Sequence, residues 1–237
     1  RSTVNLSVSR RDLAATTVGG YALFGGGNTG SISSLSSVVD AFDASKTRKS
    51  VAALSVAREW LTAATVGDYA IFSPHSSEDM YGSTDVTVDA YSSSLVKNTN
   101  IQNFPTSLGG MSAASVGDYA IFSGVHYYSI DYDEYMDGSD SYETYSYAYN
   151  KSLTANFNLD DGTHYAGIRD RSVTTIGKYA LYCGGRAYSS DWREEYNDYW
   201  EEYVYSDYGN FNEVNDVVAL DSSLTYHTIN ATNVSWA

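Results

Sequence analysis

One seven-residue phrase occurs four times in this chain: VGGYALF from Val18, VGDYAIF from Val66, VGDYAIF from Val116 and IGKYALY from Ile176. A second phrase trails each copy: VDAFDASKT from Val39, VDAYSSSLV from Val88, SYAYNKSLT from Ser146 and VVALDSSLT from Val217. A third, ALSVAR, ends at Arg58 and has a counterpart, NLSVSR, ending at Arg10. Successive first phrases are offset by 48, 50 and 60 residues. Self-similarity at this period means stacked copies of one supersecondary unit, each burying its apolar face on the next.

Every unit reads as strands. The residues before each Val-Gly or Ile-Gly are small or β-branched (AATT, TAAT, SAAS, SVTT), which suits a strand packed close to its neighbours. Gly-Gly, Gly-Asp or Gly-Lys then makes a two-residue turn into YALF, YAIF or YALY. The VDAF phrase is a third strand of alternating apolar residues, and RKSVAALSV a fourth. With 2 Pro and no helical apolar period, the expected fold is all-β, a β-propeller of four-stranded blades. A sandwich or barrel of similar strand number is the competing architecture, but it has no reason to repeat the same phrases in the same order. The units run over about 11–58, 59–108, 109–168 and 169–237, as one propeller domain or a fragment of one. Residues Arg1–Arg10 align with Lys49–Arg58 and are expected to be an extra fourth strand. An edge left unpaired there would invite self-association.

The repeats resemble kelch-type β-propeller blades, most of all the kelch-like arrays of bacterial and phage-encoded surface proteins. The second-strand diglycine stands at Gly25-Gly26 and, shifted by one, at Gly184-Gly185. Ser73-Pro74 and Ser123-Gly124 replace it in the middle units. The third-strand aromatic stands at Phe42, Tyr91 and Tyr149, with Leu220 in the last unit, and the fourth-strand Trp of the family is missing. The resemblance implies a propeller at an extracellular, virion or cell surface. An intracellular kelch-like scaffold is an alternative, as is an enzyme related to copper radical oxidases. The latter would need a Tyr–Cys link and paired His ligands, and this chain offers Cys183 but no recognisable His pair.

Length variation falls in one place. From the second-strand Tyr to the third-strand position the distances are 21, 22, 30 and 41 residues, whereas the return to the next Tyr takes 27, 28 and 30. The two longest of these connections, 126–147 and 186–216, carry 15 of the 29 acids and 13 of the 23 Tyr. In a propeller they emerge beside the turns from strand four to the next strand one, at Arg11-Asp12, Glu59-Trp60, Gly109-Gly110 and Arg169-Asp170. Variable loops on a constant frame are the layout of a binding surface, and Tyr, Ser, Asp and Gly are what such surfaces favour. The expected function is therefore non-enzymatic recognition of a protein or glycan, in surface adhesion. The anchors would be Trp60, Tyr128, Tyr132, Tyr135, Trp192, Tyr196, Tyr199 and Trp200.

The formal charge of −15 opposes nucleic acid and anionic lipid, and no apolar run is long enough to cross a bilayer. His75, His126, His164 and His227 read as isolated polar residues, and Cys183 as a small buried thiol. No catalytic set is expected, and no cofactor other than calcium. The run DYDEYMDGSDSYE misses the spacing of an EF-hand but clusters Asp131, Asp133, Asp137 and Asp140 as hard ligands for an opportunistic Ca²⁺. The sequons at Asn5, Asn150, Asn230 and Asn233 read as incidental.

Overall fold

The computed structural model describes residues 4–30, 34–75, 85–130, 139–159, 168–189, 192–197, 202–207, 210–214 and 216–229. Among them there are strands and no helix. The first unit is an antiparallel meander of β1 (Ala14–Val18), β2 (Tyr21–Gly25), β3 (Val39–Asp43) and β4 (Arg48–Lys49). The second repeats it with β5 (Ala63–Val66), β6 (Tyr69–Phe72), β7 (Asp89–Ser92) and β8 (Lys97–Asn98). The third has β9 (Gly109–Val116), β10 (Tyr119–Ile130), β11 (Ser139–Asn150) and β12 (Ala155–Leu159). In the fourth, β13 (Ile168–Arg169) precedes β14 (Ser172–Ile176) and β15 (Tyr179–Cys183). An insertion of β16 (Arg186–Ser189), β17 (Trp192–Asn197), β18 (Glu202–Asp207) and β19 (Asn210–Glu213) follows, before β20 (Val217–Asp221) and β21 (Tyr226–Ile229). The fourth meander is β14-β15-β20-β21, beside a three-stranded sheet β13-β16-β19 and the hairpin β17-β18. Among the described residues no sheet closes on itself.

Two turn chemistries recur in register and explain the repeated phrases. Between the first two strands of each unit, Gly19, Gly67, Gly117 and Gly177 hold φ between 52° and 57°, a conformation that Gly adopts without a Cβ penalty. Between the last two strands, a side-chain oxygen closes the turn. Asp43 Oδ1 accepts from the amides of Ser45 and Thr47, and Asn150 Oδ1 from Ser152 and Thr154. Ser92 Oγ and Asp221 Oδ1 do the same in their units. This is why the third phrase residue after the aromatic is so often Ser, and why the strand ends in Asp, Ser or Asn. Asn150, part of a sequon, is thus occupied as a turn cap.

The four meanders pack face to face in chain order. Each sheet has a forward face turned to the next unit and a back face turned to the previous one. Val18, Leu23 and Ala41 of the first sheet meet Ala70, Phe72 and Tyr91 of the second. Val66, Ile71 and Ala90 then meet Ala120, Phe122 and Tyr149, and Val116, Ile121 and Ala148 meet Ala180, Tyr182 and Leu220. The third-strand aromatics Tyr91 and Tyr149 are fully buried, whereas Tyr21, Tyr69 and Tyr119 of the recurring phrase are half-buried at the cluster margins. The first strands lie side by side, linked by in-register hydroxyls. Thr65 Oγ1 donates to Thr17 O, Ser115 Oγ to Thr65 O at 2.6 Å, and Thr175 Oγ1 to Ser115 O at 2.8 Å. Small residues there let these strands approach closely.

Residues 4–10 do not form the expected extra strand. They follow an irregular course matching that of 52–58, the connector into the second unit. Both connectors carry a buried ion pair, although 102–108 takes the same course without one. Arg58 is 0% exposed and its Nη2 donates to Asp89 at 2.7 Å, while Ser55 donates to the same carboxylate from its amide and hydroxyl. One unit earlier, Arg10 Nη1 donates to Asp40 at 2.8 Å, joined by the Ser7 amide. The connector amide that a ladder would have used is thus spent on a side chain. Burial alone would raise both carboxyls. For Asp89, Lys97, Arg58 and Ser55 outweigh it; for Asp40, Arg10 and Ser7 do, and both stay below the ordinary carboxylate range.

In the third unit the ion pair is replaced by aliphatic and aromatic side chains. Leu108 stands in register with Arg58, Tyr147 with Asp89, Pro105 with Ser55 and Ala155 with Lys97. Pro105 has no N–H to orphan, so the carboxylate and its donors have gone together. Leu108 and Tyr147 are both buried in the cluster between sheets two and three.

Three outcomes follow for chemical denaturation. Tyr149→Ala lowers the unfolding free energy by about 4 kcal/mol, whereas Val96→Ala, at an exposed position, changes it by less than about 0.5 kcal/mol. Asp89→Ala alone costs about 3–5 kcal/mol by stranding buried Arg58, and adding Arg58→Leu recovers a large part of that loss. Because the folded-state carboxyls are depressed, their stabilisation is present above about pH 4 and is lost as pH falls further. The stability of Asp89→Asn should therefore vary less with pH below about 4 than that of the unsubstituted chain.

Candidate binding face

The connections between strands two and three leave the same end of each sheet as the turns into the next unit, and the two sets are joined by hydrogen bonds. Arg11 exchanges backbone hydrogen bonds with Asn28 in the first unit, at 3.0 and 2.8 Å. His75 Nδ1 lies 2.9 Å from the Glu59 carbonyl oxygen in the second. Gly109 pairs with Val125 in the third, and Ile168 and Arg169 pair with Ala187 and Arg186 in the fourth. The expected pairing of variable connections with inter-unit turns at one end of the sheet therefore holds in all four units.

The inter-unit turns share an unusual backbone. Asp12, Trp60, Gly110 and Asp170, offset by 48, 50 and 60 residues, all take φ between 50° and 59°. Neighbouring turns are linked: the Trp60 amide donates to Asp12 O at 3.0 Å, and the Asp170 amide to Gly110 O at 3.0 Å. A left-handed Trp costs about 1–3 kcal/mol and persists only because its surroundings hold it. Here its indole stacks on the His75 ring, 5.9 Å between centroids and 26° apart in plane, and remains 38% exposed. Trp60 is thus a presented, pre-oriented aromatic.

The third connection is a long hairpin. The pairing of β10 with β11 runs unbroken from Tyr119↔Asn150 to Ile130↔Ser139. Its base belongs to the core through Tyr147, and above this the strands carry Tyr127 and Tyr142, packed 5.3 Å apart. Tyr145 donates from its hydroxyl to Glu143 at 2.7 Å and meets the His126 ring edge-on at 5.9 Å. His126 is not the isolated polar residue expected. It lies within β10, half-buried, with Nδ1 3.0 Å from Thr106 Oγ1. His75 is likewise half-buried and partnered.

The fourth connection is the insertion β16 to β19, with β18 packed beside β11. The two Tyr-rich segments are therefore neighbours. Arg186 anchors the insertion, donating from Nε and Nη2 to Asp170 in the inter-unit turn. Beneath, between sheets three and four, is a water-sized space of about 10 Å³ lined by Ser112, Ser123, Ser146, Arg171, Tyr182 and Tyr226. Arg171 is buried, and its Nε and Nη2 have no partner among the described residues.

Of the anchors expected from sequence, Trp60 is placed and exposed. Tyr128 lies on β10, and Trp192 and Tyr196 lie on β17, where Tyr196 pairs in register with Tyr203. Tyr132, Tyr135, Tyr199 and Trp200 fall outside the described residues, as do Asp131, Asp133 and Asp137 of the calcium set; Asp140 lies on β11. Among the described residues no three His, Cys, Asp or Glu are grouped to hold a metal. Cys183 is half-buried rather than buried, and among the described residues no further sheet packs on the forward face of the last sheet. The pairs Trp60–His75, Tyr127–Tyr142 and Arg186–Asp170 were not legible beforehand, since each depends on which residues meet across connections of different length.

Trp60→Gly removes the strained φ and supplies the residue already used at position 110. The expected result is a thermal midpoint within a few degrees of the original, with loss of one quenchable indole in fluorescence. No protein-family model matches the chain, and no curated protein is similar to it in sequence.

Proposed function

We propose that the four meanders are blades of a β-propeller and that this chain is a non-enzymatic recognition module of a cell or virion surface. Its ligand, a protein or a glycan, binds at the end from which the two long Tyr-rich connections rise. The observation that carries this reading is that β18 of one connection packs beside β11 of the other, at the end marked by the inter-unit turns. Tyr offers large contact area for two rotatable bonds plus a hydroxyl, so a dense Tyr surface on a rigid frame favours binding over decoration. The surrounding acids favour cationic or hydroxyl-rich partners, because carboxylates accept hydroxyl hydrogen bonds while aromatic rings stack on a sugar's apolar face. Segments 126–147 and 186–216 hold 15 of the 29 acids, so association with a cationic partner should weaken with salt.

The test is a glycan and protein array screen with and without calcium, followed by deletion. Residues 189–210 are replaced by Asn-Gly, which closes β16 on β19 as a tight hairpin while keeping the Arg186–Glu213 register. The shortened protein should keep its melting transition and lose at least tenfold in affinity for whatever the screen finds, about 1.4 kcal/mol. A folded deletion variant that binds as before would make the insertion decoration and overturn this reading.

A further inference from the structure

Among the described residues the stack of four sheets leaves two faces open, and repeat register makes them the two halves of one interface. At the last sheet, the forward face carries Ile176, in register with Val18, Val66 and Val116. Those three are 4%, 2% and 1% exposed, buried against the next unit, whereas Ile176 is 62% exposed. At the first sheet, the back face carries Ala22, Phe24 and Phe42, in register with the buried Ala70, Phe72 and Tyr91. All three remain only half-buried, and Phe24 and Phe42 pack edge-on against each other at 6.1 Å.

Two further features stop at the same ends. The turn glycine of each unit lies against the last turn of the following unit. A Cβ on Gly19 would meet Ser93 at 2.6 Å, on Gly67 it would meet Lys151 at 3.0 Å, and on Gly117 it would meet Ser222 at 2.6 Å. Gly177 has nothing within 4 Å. The register predicts Ala44 as its partner, and Ala44 lines an open groove beside β1 together with Thr17, Gly19, Ala22 and Phe42. The hydroxyl ladder likewise runs from Thr175 down to the carbonyl of Thr17, so one more step would have the Thr17 hydroxyl donate to a Thr175 carbonyl. The connector half of the missing interface is already seated. Arg10 sits on Asp40 and donates to the carbonyls of Gly26 and Phe24, as Arg58 sits on Asp89 between sheets one and two.

We propose that a second copy of this chain docks the forward face of its fourth sheet on the back face of the first, continuing the sheet-on-sheet interface already made three times within the chain. The contact is head to tail, between two different surfaces, and it is distinct from pairing through a terminal strand edge. It does not depend on what the Tyr-rich face binds. Among the described residues nothing covers the last sheet's forward face, as the bare Gly177 and the exposed Ile176 record, and the continuing register is the ground for assigning its cover to a second copy.

The experiment is light scattering after size exclusion on the chain and on two variants. The unsubstituted chain should run at two or more times 25.9 kDa. Ile176→Asp and Ala22→Arg, one at each end, should each run as a single chain. Mixed in equal amounts they should restore a two-chain species, because each variant keeps the half that the other has lost. Formation of that heterodimer also shows that both variants are folded. Maleimide should react more slowly with Cys183, which lies on the same forward face, in the assembled chain than in Ile176→Asp. An unsubstituted chain of single mass would overturn the proposal, and so would an assembly that survives both substitutions. Two single-mass variants that fail to combine on mixing would overturn it as well.

Discussion

Everything in this molecule rests on a back face fitting a forward face. Each meander is too thin to bury its own apolar residues, so Phe72, Tyr91, Phe122 and Tyr149 find cover only on the preceding sheet. That fit demands small residues where the first strands converge, which explains the Ala, Thr and Ser there. It also demands a hydroxyl at one register position, since the carbonyls of Thr17, Thr65 and Ser115 are satisfied by the next unit's side chain. A stack built this way is a sum of nearest-neighbour interfaces.

The interfaces are equivalent in shape and different in chemistry. Between the first two sheets the outer part of the contact is an Arg–Asp pair with Ser and Lys around it; between the second and third it is Leu108, Tyr147 and Ala155. A buried ion pair costs desolvation that only full hydrogen bonding offsets, and an apolar set of equal volume avoids that cost. The change is complete in the third unit: with the carboxylate gone, the amide that served it is gone too. The exchange leaves one polar atom behind, the Tyr147 hydroxyl, buried with no hydrogen-bond partner among the described residues.

The connections between strands two and three are under none of these demands. They leave the sheet after its packed residues, and each is tied down by a local pairing to the inter-unit turn. Extra length above that pairing costs little, because loop closure entropy grows only slowly with length. This is the physical reason that one connection ranges from 21 to 41 residues between fixed points while the frame hardly changes. It is also why Tyr and acidic residues accumulate there: a surface carried on its own hairpins can vary without disturbing the sheet contacts.

The all-β class, the meander order and the turns were legible in the sequence, because strand alternation and turn chemistry are local properties of phrases such as VGDYAIF and NKSLT; the fourth strand expected over RKSVAALSV is only Arg48–Lys49, with 50–58 a connector. So was the end of the sheets at which the variable connections rise, since a meander of four strands puts them beside the inter-unit turns by parity alone. The sequence also pointed to Trp60 as a presented aromatic, though not to the left-handed backbone and His75 stack that present it. Residues 4–10 were misread as a strand, for the likeness to 49–58 was real but the shared element is a connector held by Arg10 on Asp40, a contact 30 residues away in the chain. Which aromatics are fully buried, which charges pair, and which faces are left open depend on what lies opposite each residue across a sheet interface. Periodicity carries a residue's own side of the strand and nothing about the side it meets, so only the tertiary structure could decide them.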